Sequence, residues 1–419
     1  MKIAVIGGGV GGVLAAMRLS TAHDVTLYEP GPVGLGPAYG TASPNHLLNV
    51  RAEGMSLSVD RPSDFVDWLG ARYDAHDFVP RQVFGQYVQA RFSEFQATAV
   101  NPIGVVPETV TAVHSGFRVS HSGGEDSADA VVVAVGNFPP SSPSFVPSDI
   151  GVPNYYENPW LIQPEAFAEL RSITLIGTGL TAVDIAADAL VQFPSLRITM
   201  VSRHGLLPGS HTEDLGKCER DLASLLECGS VRQMTKVLRS LITSSDAPWQ
   251  YGFDRLRLMT QELWIQLSLA DRGRFLRHLQ VYWDIHRHRV APQLYRLIDQ
   301  ARQDGRLEVI AGKVTKMEVG RLEVSPRGGG PNVTLLADAV VNCTGPGSLA
   351  RAKSPLIHQM VADGLLVPDE LGLGVKADAI GETTRGVYVL GSLRKGDLWE
   401  TTALRVIREQ AFALGTHLK

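Results

Sequence analysis

An α/β fold containing two copies of one βαβ unit is predicted by three features of the chain. The short apolar run Lys2–Ile6 enters the cluster Gly7-Gly8-Gly9-Val10-Gly11-Gly12, a helix-favouring stretch follows at 13–19, and residues 24–29 supply a second strand. The same order returns about 170 residues later, with Ser172–Ile176, then Gly177-Thr178-Gly179-Leu180-Thr181-Ala182, a helix through about Leu190 and a strand at 197–201. Each copy also has a downstream echo, a buried-type strand that ends in glycine: residues 129–136 after the first and 338–345 after the second. Duplication of a whole supersecondary unit at that separation implies two domains of one kind.

Each element has a local reason. Apolar runs of five residues bounded by glycine or charge read as buried strands of a parallel sheet, and longer runs with three- and four-residue apolar spacing read as helices. By that rule residues 211–303, with Leu, Met, Phe and Trp at helical spacing, form a helical insertion in the second unit, and Trp264, Phe275, Tyr282 and Trp283 belong to its core. The stretch 138–164 is rich in Pro, Ser and Asn and reads as a linker. A last strand is expected at 386–391, followed by a helix from about Thr401 to Leu414.

Composition narrows the function classes. The chain has 419 residues, 44% hydrophobic and 20% charged, with a formal net charge of −4, which suits a soluble protein with a sizeable core. Near-neutral charge argues against a general nucleic-acid or membrane-surface binder. Three cysteines, Cys218, Cys228 and Cys343, with no C-x-x-C pair, give no support to a disulfide framework, a dithiol redox centre or a metal cluster. No apolar run approaches the roughly 20 residues that span a bilayer, and the N-terminal run lacks a small-residue cleavage site, so a cytoplasmic protein is expected. Nothing in the sequence indicates an oligomeric state.

The glycine turns carry chemistry. Gly7, Gly9 and Gly12 follow a strand and open a helix, and Glu29 ends the next strand, which is the context of a dinucleotide fingerprint. The first glycine permits the turn, the second admits a pyrophosphate to the backbone, the third lets helix and sheet approach, and the acid accepts from ribose hydroxyls. In the second copy Gly177, Gly179 and Ala182 occupy those places, but the strand ends in Ser202-Arg203-His204 with no acid. A guanidinium there binds a 2′-phosphate that a carboxylate would repel, so NADPH is expected at the second turn and FAD at the first. The fold class is therefore α/β with two Rossmann-like dinucleotide-binding domains, FAD and NADPH, and a helical insertion in the second. The expected bounds are 1–150 for the first part of the FAD domain, 151–345 for the NADPH domain and 346–419 for the second part of the FAD domain.

The arrangement resembles the flavoproteins with two dinucleotide-binding domains, and more narrowly a bacterial FAD/NAD(P)-binding group related to N-hydroxylating flavin monooxygenases. The matching stretches are Gly36-Pro37-Ala38-Tyr39-Gly40-Thr41, the segment 46–52 with Met55-Ser56, residues 202–208, residues 274–278, residues 283–289 and Trp399-Glu400-Thr401-Thr402-Ala403. The resemblance implies that the segment 46–56, through Asn49, Val50 and Met55, lies along the flavin, or else is a polar loop covering the FAD. It also implies that Gly391 and Ser392 approach the FAD pyrophosphate or ribityl chain. The helix starting near Thr401 and Thr402 then aims its N–H groups at the flavin, or only packs on the sheet. There are departures. No F-x-G-x-x-x-H-x-x-x-[WYF] signature is present, and Val135 stands where the N-hydroxylase element D-x-x-x-x-A-T-G-Y has threonine.

The basic run His286-Arg287-His288-Arg289 admits two readings. One is a cationic substrate pocket using His286, His288 and Arg289, which would suit a carboxylate-bearing metabolite. The other is a solvated basic face, or a set of salt bridges to Asp271, Asp284 and Asp299. The H-x-H pair lacks further ligands, so no metal is expected. The expected activity is that of an NADPH-dependent FAD monooxygenase using O₂, in which a flavin C4a-hydroperoxide oxygenates a small amine or amino acid. The alternatives are an NADPH-dependent oxidoreductase that passes electrons to a quinone, imine or protein, and a nucleotide-sensing flavoprotein without enzymatic activity. No residue has a unique catalytic claim.

Overall fold

The computed structural model describes residues 1–212, 222–243 and 248–419. Cys218 and parts of the expected insertion lie outside them. Two compact units are present, one from residues 1–44, 50–138 and 347–419, the other from residues 45–49 and 139–346. The first boundary thus falls at 138/139 rather than at 150, and the short piece 45–49 packs with the second unit.

In the first unit the strands are β1 (Lys2–Ile6), β2 (Asp24–Tyr28), β3 (Gly104–Val106), β4 (Val110–His114), β5 (Arg118–His121), β6 (Gly124–Ser127) and β7 (Ala130–Val133). The second unit contributes β8 (Tyr155–Tyr156), β9 (Ser172–Ile176), β10 (Arg197–Ser202), β11 (Leu307–Glu318), β12 (Arg321–Pro326), β13 (Val333–Leu336) and β14 (Ala339–Asn342). The chain then returns to the first unit with β15 (Glu382–Thr384) and β16 (Val387–Val389). The first sheet has the order β15-β16-β7-β1-β2-β3 and the second β13-β12-β11-β10-β9-β14-β8, with β4-β5-β6 as a separate antiparallel sheet. The central parallel strands correspond, β7-β1-β2-β3 in one sheet and β14-β9-β10-β11 in the other, so the duplication seen in the sequence is a duplication of the sheet core; the next strand out differs in chain order, β16 following its unit's other parallel strands and β8 preceding them.

Both faces of the central strands are covered, which is why they read as unbroken apolar runs. Ala4, Ile6, Val131, Val133, Val387 and Val389 share one core cluster with Leu356, Ile357 and Met360 of the helix Pro355–Ala362, and with Val113 and Val119 of the small sheet. The two echo strands are anchored alike. Asp129 accepts the Lys2 N–H at 2.7 Å, and Asp338 accepts the N–H groups of Arg171 and Ser172 at 2.8 and 2.9 Å. Those backbone donors hold the Asp338 carboxyl below the usual carboxylate range.

Three expectations are corrected. The stretch 138–164 is more than a linker, because β8 pairs in parallel with β14 and buries Tyr155 at the sheet edge. The C-terminal helix spans Leu404–His417 with Ala403 as its cap, so Thr401 and Thr402 precede it. The delay has a cause: Trp399 takes φ +62°, ψ −68° and the Glu400 N–H reaches back to the Leu398 carbonyl at 2.8 Å, a γ-turn that no helix can include. In the insertion, helices run over Val231–Thr243, Trp249–Leu256, Thr260–Gln266, Leu269–His278, Gln280–Arg287 and Pro292–Gln303. Trp264 is buried and contacts Phe275, which contacts Trp283, but Tyr282 is 42% exposed and lies outside that core.

The first glycine turn sets the tightest packing. Gly7 has φ +100°, and a Cβ there would stand 2.6 Å from the Ala134 carbonyl oxygen; a Cβ on Gly12 would overlap the Gly7 carbonyl oxygen. Gly9, the cap of the helix Val10–Leu19, faces open space. Gly12→Ala should therefore destabilise the protein by about 3 kcal/mol, the scale of an overpacked core. Gly9→Ala should cost under about 1 kcal/mol, the scale of a cap change. Denaturant titration of the two variants against the parent measures both.

Candidate functional site

At the first turn the chain places donors and an acid together. The Gly7 N–H donates to the Tyr28 carbonyl at 2.9 Å, joining the turn to the end of β2. One residue on, Glu29 Oε2 accepts the Gly8 N–H at 2.6 Å and Oε1 accepts the Gly31 N–H at 3.0 Å. A carboxylate has about four acceptor positions, so capacity remains for further hydroxyl donors. The helix Val10–Leu19 donates its first internal bond from Val13 to the Gly9 carbonyl at 3.0 Å, which leaves the N–H groups of its first turn pointing beyond the helix. The C-terminal helix lies alongside and parallel. A Cβ on Gly11 would sit 3.3 Å from Ile407, and Arg18 covers the Phe412 ring at 4.4 Å. Two helix N-termini, each a partial positive charge, therefore lie at one end of the unit, beyond the carboxyl ends of the strands.

The returning strand completes this end. Gly391 has φ +69°, and its N–H donates to Gln410 Oε1 at 2.9 Å. The Ser392 hydroxyl donates to the Gly136 carbonyl, linking the ends of β16 and β7. Gln410 Nε2 and Thr401 Oγ1 are buried and have no hydrogen-bond partner among the described residues. Buried polar atoms are normally satisfied, so both point to a missing partner. Gln410 escaped the sequence reading, although a lone amide on the buried stripe Leu404, Val406, Gln410, Ala411, Leu414 was a visible signal.

Residues 50–58 form a clamped loop in this same unit. Met55 is buried behind the short turn Ala52–Gly54, and Val50 contributes to it, a Cβ on Gly54 falling 2.8 Å from its side chain. The Ser56 hydroxyl donates to the Arg61 carbonyl at 2.7 Å, and Arg408 donates to the carbonyls of Ser56 and Ser58 at 2.7 and 3.0 Å. Tyr87 accepts the Leu57 N–H at 3.1 Å and donates to the buried carboxylate of Asp64 at 2.6 Å, which Arg91 and Arg61 also reach at 2.9 and 3.0 Å. Burial, aided by the Asp64 hydrogen bond, pushes the Tyr87 hydroxyl up to about 12. Asn49 falls in the other unit, where its carbonyl accepts from His211 Nε2 at 2.9 Å.

The second turn repeats the geometry with different ends. Gly177 has φ +127°, its N–H donates to the Val201 carbonyl at 2.8 Å, and a Cβ on it would overlap the Cys343 carbonyl oxygen. Gly179 caps the helix Leu180–Gln192 and faces open space, while Ala182 fits fully buried where the first copy has glycine. Ser202 is used internally. Its hydroxyl accepts the Gly205 N–H at 3.0 Å and donates to Thr178 at 2.9 Å, and Thr178 donates to the Leu206 carbonyl at 2.6 Å. That chain shapes the corner carrying Arg203, which is exposed, and His204, whose Nδ1 has no hydrogen-bond partner among the described residues.

The basic run of the insertion is engaged by its neighbours. Arg289 is buried, ion-paired with Asp254, and lies over Trp249 at 6.0 Å. His286 stacks on Phe253 at 4.9 Å and donates from Nδ1 to the Tyr282 carbonyl at 2.7 Å. His288 faces Asp284 at 3.8 Å, and Arg274 and Arg302 pair with Asp271 and Asp299. Asp254 is a partner that spacing did not suggest. Arg289→Ala should lower unfolding stability by about 2 kcal/mol, through lost packing of its buried side chain more than through its pair with the half-exposed Asp254, and thermal melting measures the loss.

Comparison with known proteins agrees with the fold. Residues 4–138 match the family described as FAD-NAD(P)-binding. A monooxygenase of Aspergillus candidus, cfoE, is 29% identical over 214 residues, 49% of this chain and 36% of that protein. The chain thus spans little more than a third of that relative's length. The ornithine N-hydroxylase of Kutzneria sp. 744, solved with reduced FAD, NADP⁺ and L-ornithine, superposes with a TM-score of 0.66 at 16% identity, covering 99% of this chain and 98% of that one. The FAD-bound cadaverine monooxygenase DfoA of Erwinia amylovora gives 0.62 at 15% identity, covering 98% and 92%. The chain therefore has the α/β architecture of paired nucleotide-binding domains found in flavin monooxygenases.

Proposed function

We propose that this protein is an NADPH-dependent FAD monooxygenase that oxygenates the nitrogen of a small amine or amino acid, with O₂ as co-substrate. The observation that carries the reading is the asymmetry of the two glycine turns: Glu29 directly follows β2, whereas Arg203 directly follows β10. A carboxylate suits the ribose of FAD, and an exposed guanidinium suits a 2′-phosphate.

The residues at each turn fit these groups. At the first, Glu29 accepts from ribose hydroxyls, and the paired helix N-termini favour a pyrophosphate and negative charge on a neighbouring ring. Thr401 and Gln410 supply the buried polar atoms that need a partner there. At the second, Gly179 leaves room for a pyrophosphate over the helix Leu180–Gln192, and Arg203 takes the 2′-phosphate. FAD, when bound, supplies the capacity to take two electrons from NADPH and to pass one oxygen atom of O₂ to a nucleophile. The protein's share is positioning: the Arg408 and Asp64–Tyr87 contacts hold the 50–58 loop in one conformation. An amine substrate is favoured over one recognised by a carboxylate receptor in the insertion, since His286, His288 and Arg289 are already engaged there. The fold shared with ornithine and cadaverine hydroxylases supports an amine nitrogen as the group oxygenated.

Two measurements test this. The FAD-reconstituted protein, given NADPH and air, should convert ornithine, cadaverine or a related amine to a product heavier by one oxygen atom. Rapid NADPH consumption that yields only hydrogen peroxide across an amine series would replace the reading with an electron-passing oxidoreductase. Absence of flavin reduction by NADPH would replace it with a nucleotide sensor. Separately, Arg203→Ala should raise KM for NADPH about tenfold or more and leave that for NADH nearly unchanged, one charge-assisted phosphate contact being worth that much.

A further inference from the structure

The end of β10 has a second cation beside it, contributed by a different part of the chain. β10 and β11 pair in parallel with Ser202 opposite Ala311. β11 then pairs with the antiparallel β12, Gly312 opposite Pro326, and the next residue, Arg327, donates its N–H to the Ala311 carbonyl at 3.0 Å. Ala311 also closes against the corner after Arg203, since a Cβ on Gly205 would stand 2.9 Å from the Ala311 Cβ. Ser202, Ala311 and Arg327 thus form one row across three adjacent strands, so the backbones of Ser202 and Arg327 lie about 10 Å apart at the usual strand spacing. Two arginine side chains bridge such a gap around one phosphate.

Arg203 and Arg327 are both exposed, and neither guanidinium has an ion pair or hydrogen bond among the described residues. Their fields converge. The His204 imidazole is held below the usual histidine range by burial, and then by Arg327 and Arg203. Two like charges acting on one imidazole repel each other, which favours an anion of high charge density in that place.

We propose that Arg327 and Arg203 together clamp the 2′-phosphate of NADPH, so that the choice of NADPH over NADH is set from two strand ends. The proposal rests on the reading of the second turn as an NADPH site. Recognition by two planar forks gives the phosphate more directed hydrogen bonds than one side chain provides.

The test uses the FAD-reconstituted full chain, titrated by calorimetry with adenosine 2′,5′-bisphosphate and with AMP, which differ only in the 2′-phosphate. The parent should prefer the bisphosphate. Arg327→Ala should weaken the bisphosphate about tenfold and leave AMP unchanged, and Arg327→Lys should restore part of the loss. AMP binding also reports that the variant is folded. If Arg327→Ala binds both ligands as the parent does while Arg203→Ala loses the preference, the clamp is wrong and the NADPH reading stands. A parent with no preference for the bisphosphate would overturn the NADPH reading and the clamp with it.

Discussion

The close approach of backbone to backbone at the two strand-to-helix turns is the constraint on which the rest of each unit depends. Gly7 sits against the Ala134 carbonyl and Gly12 against the Gly7 carbonyl, and in the second unit Gly177 sits against the Cys343 carbonyl. With no side chain in those gaps, each helix starts directly over the carboxyl ends of its sheet. Its unpaired N–H groups then face the crevice where the strand order reverses, β2-β1-β7 in one unit and β10-β9-β14 in the other. The second copy relaxes the scheme: Thr178 stands where a Cβ on Gly8 would meet the Glu29 side chain at 2.5 Å. Ala182 stands fully buried where Gly12 would not admit a Cβ, so the two helices do not sit on their sheets with equal intimacy.

On that shared scaffold, charge distinguishes the units. Glu29 is already held by two backbone N–H groups of its own turn, which fixes its orientation. Arg203 stands on a corner braced by Ser202, Thr178 and Leu206 and carries no internal partner among the described residues. One turn therefore offers acceptors and the other a cation, although their backbones are built alike. Function follows the strand ends rather than the glycines, because the glycines supply the same donors to either dinucleotide.

Several charged side chains serve the architecture instead. Arg408 and the buried Asp64 hold the 50–58 loop, and Arg289 ties the segment after the helix Gln280–Arg287 to the helix Trp249–Leu256 through Asp254 and Trp249. A charge taken out of water needs a specific partner, so burial and reactivity compete for the same residue types. That competition is why the basic run 286–289, conspicuous in the sequence, is mostly committed to packing.

The sequence by itself determined both βαβ units, their glycine turns, the acid and arginine at the second strands, the echo strands and the helical insertion. All of these depend on local periodicity and on residues a few positions apart. Only the tertiary structure decided which unit takes residues 45–49, why the last helix waits until Leu404, and how Gln410, Arg408 and Arg327 join their sites. Those outcomes depend on partners far apart in the chain. Gln410 meets Gly391 across a strand-to-helix return, Arg408 meets Ser56 some 350 positions away, and Arg327 reaches the Arg203 corner only because β11 and β12 lie beside β10. Spacing along a chain carries no information about such meetings; they are set by strand register and by which backbone groups burial leaves in need of a partner.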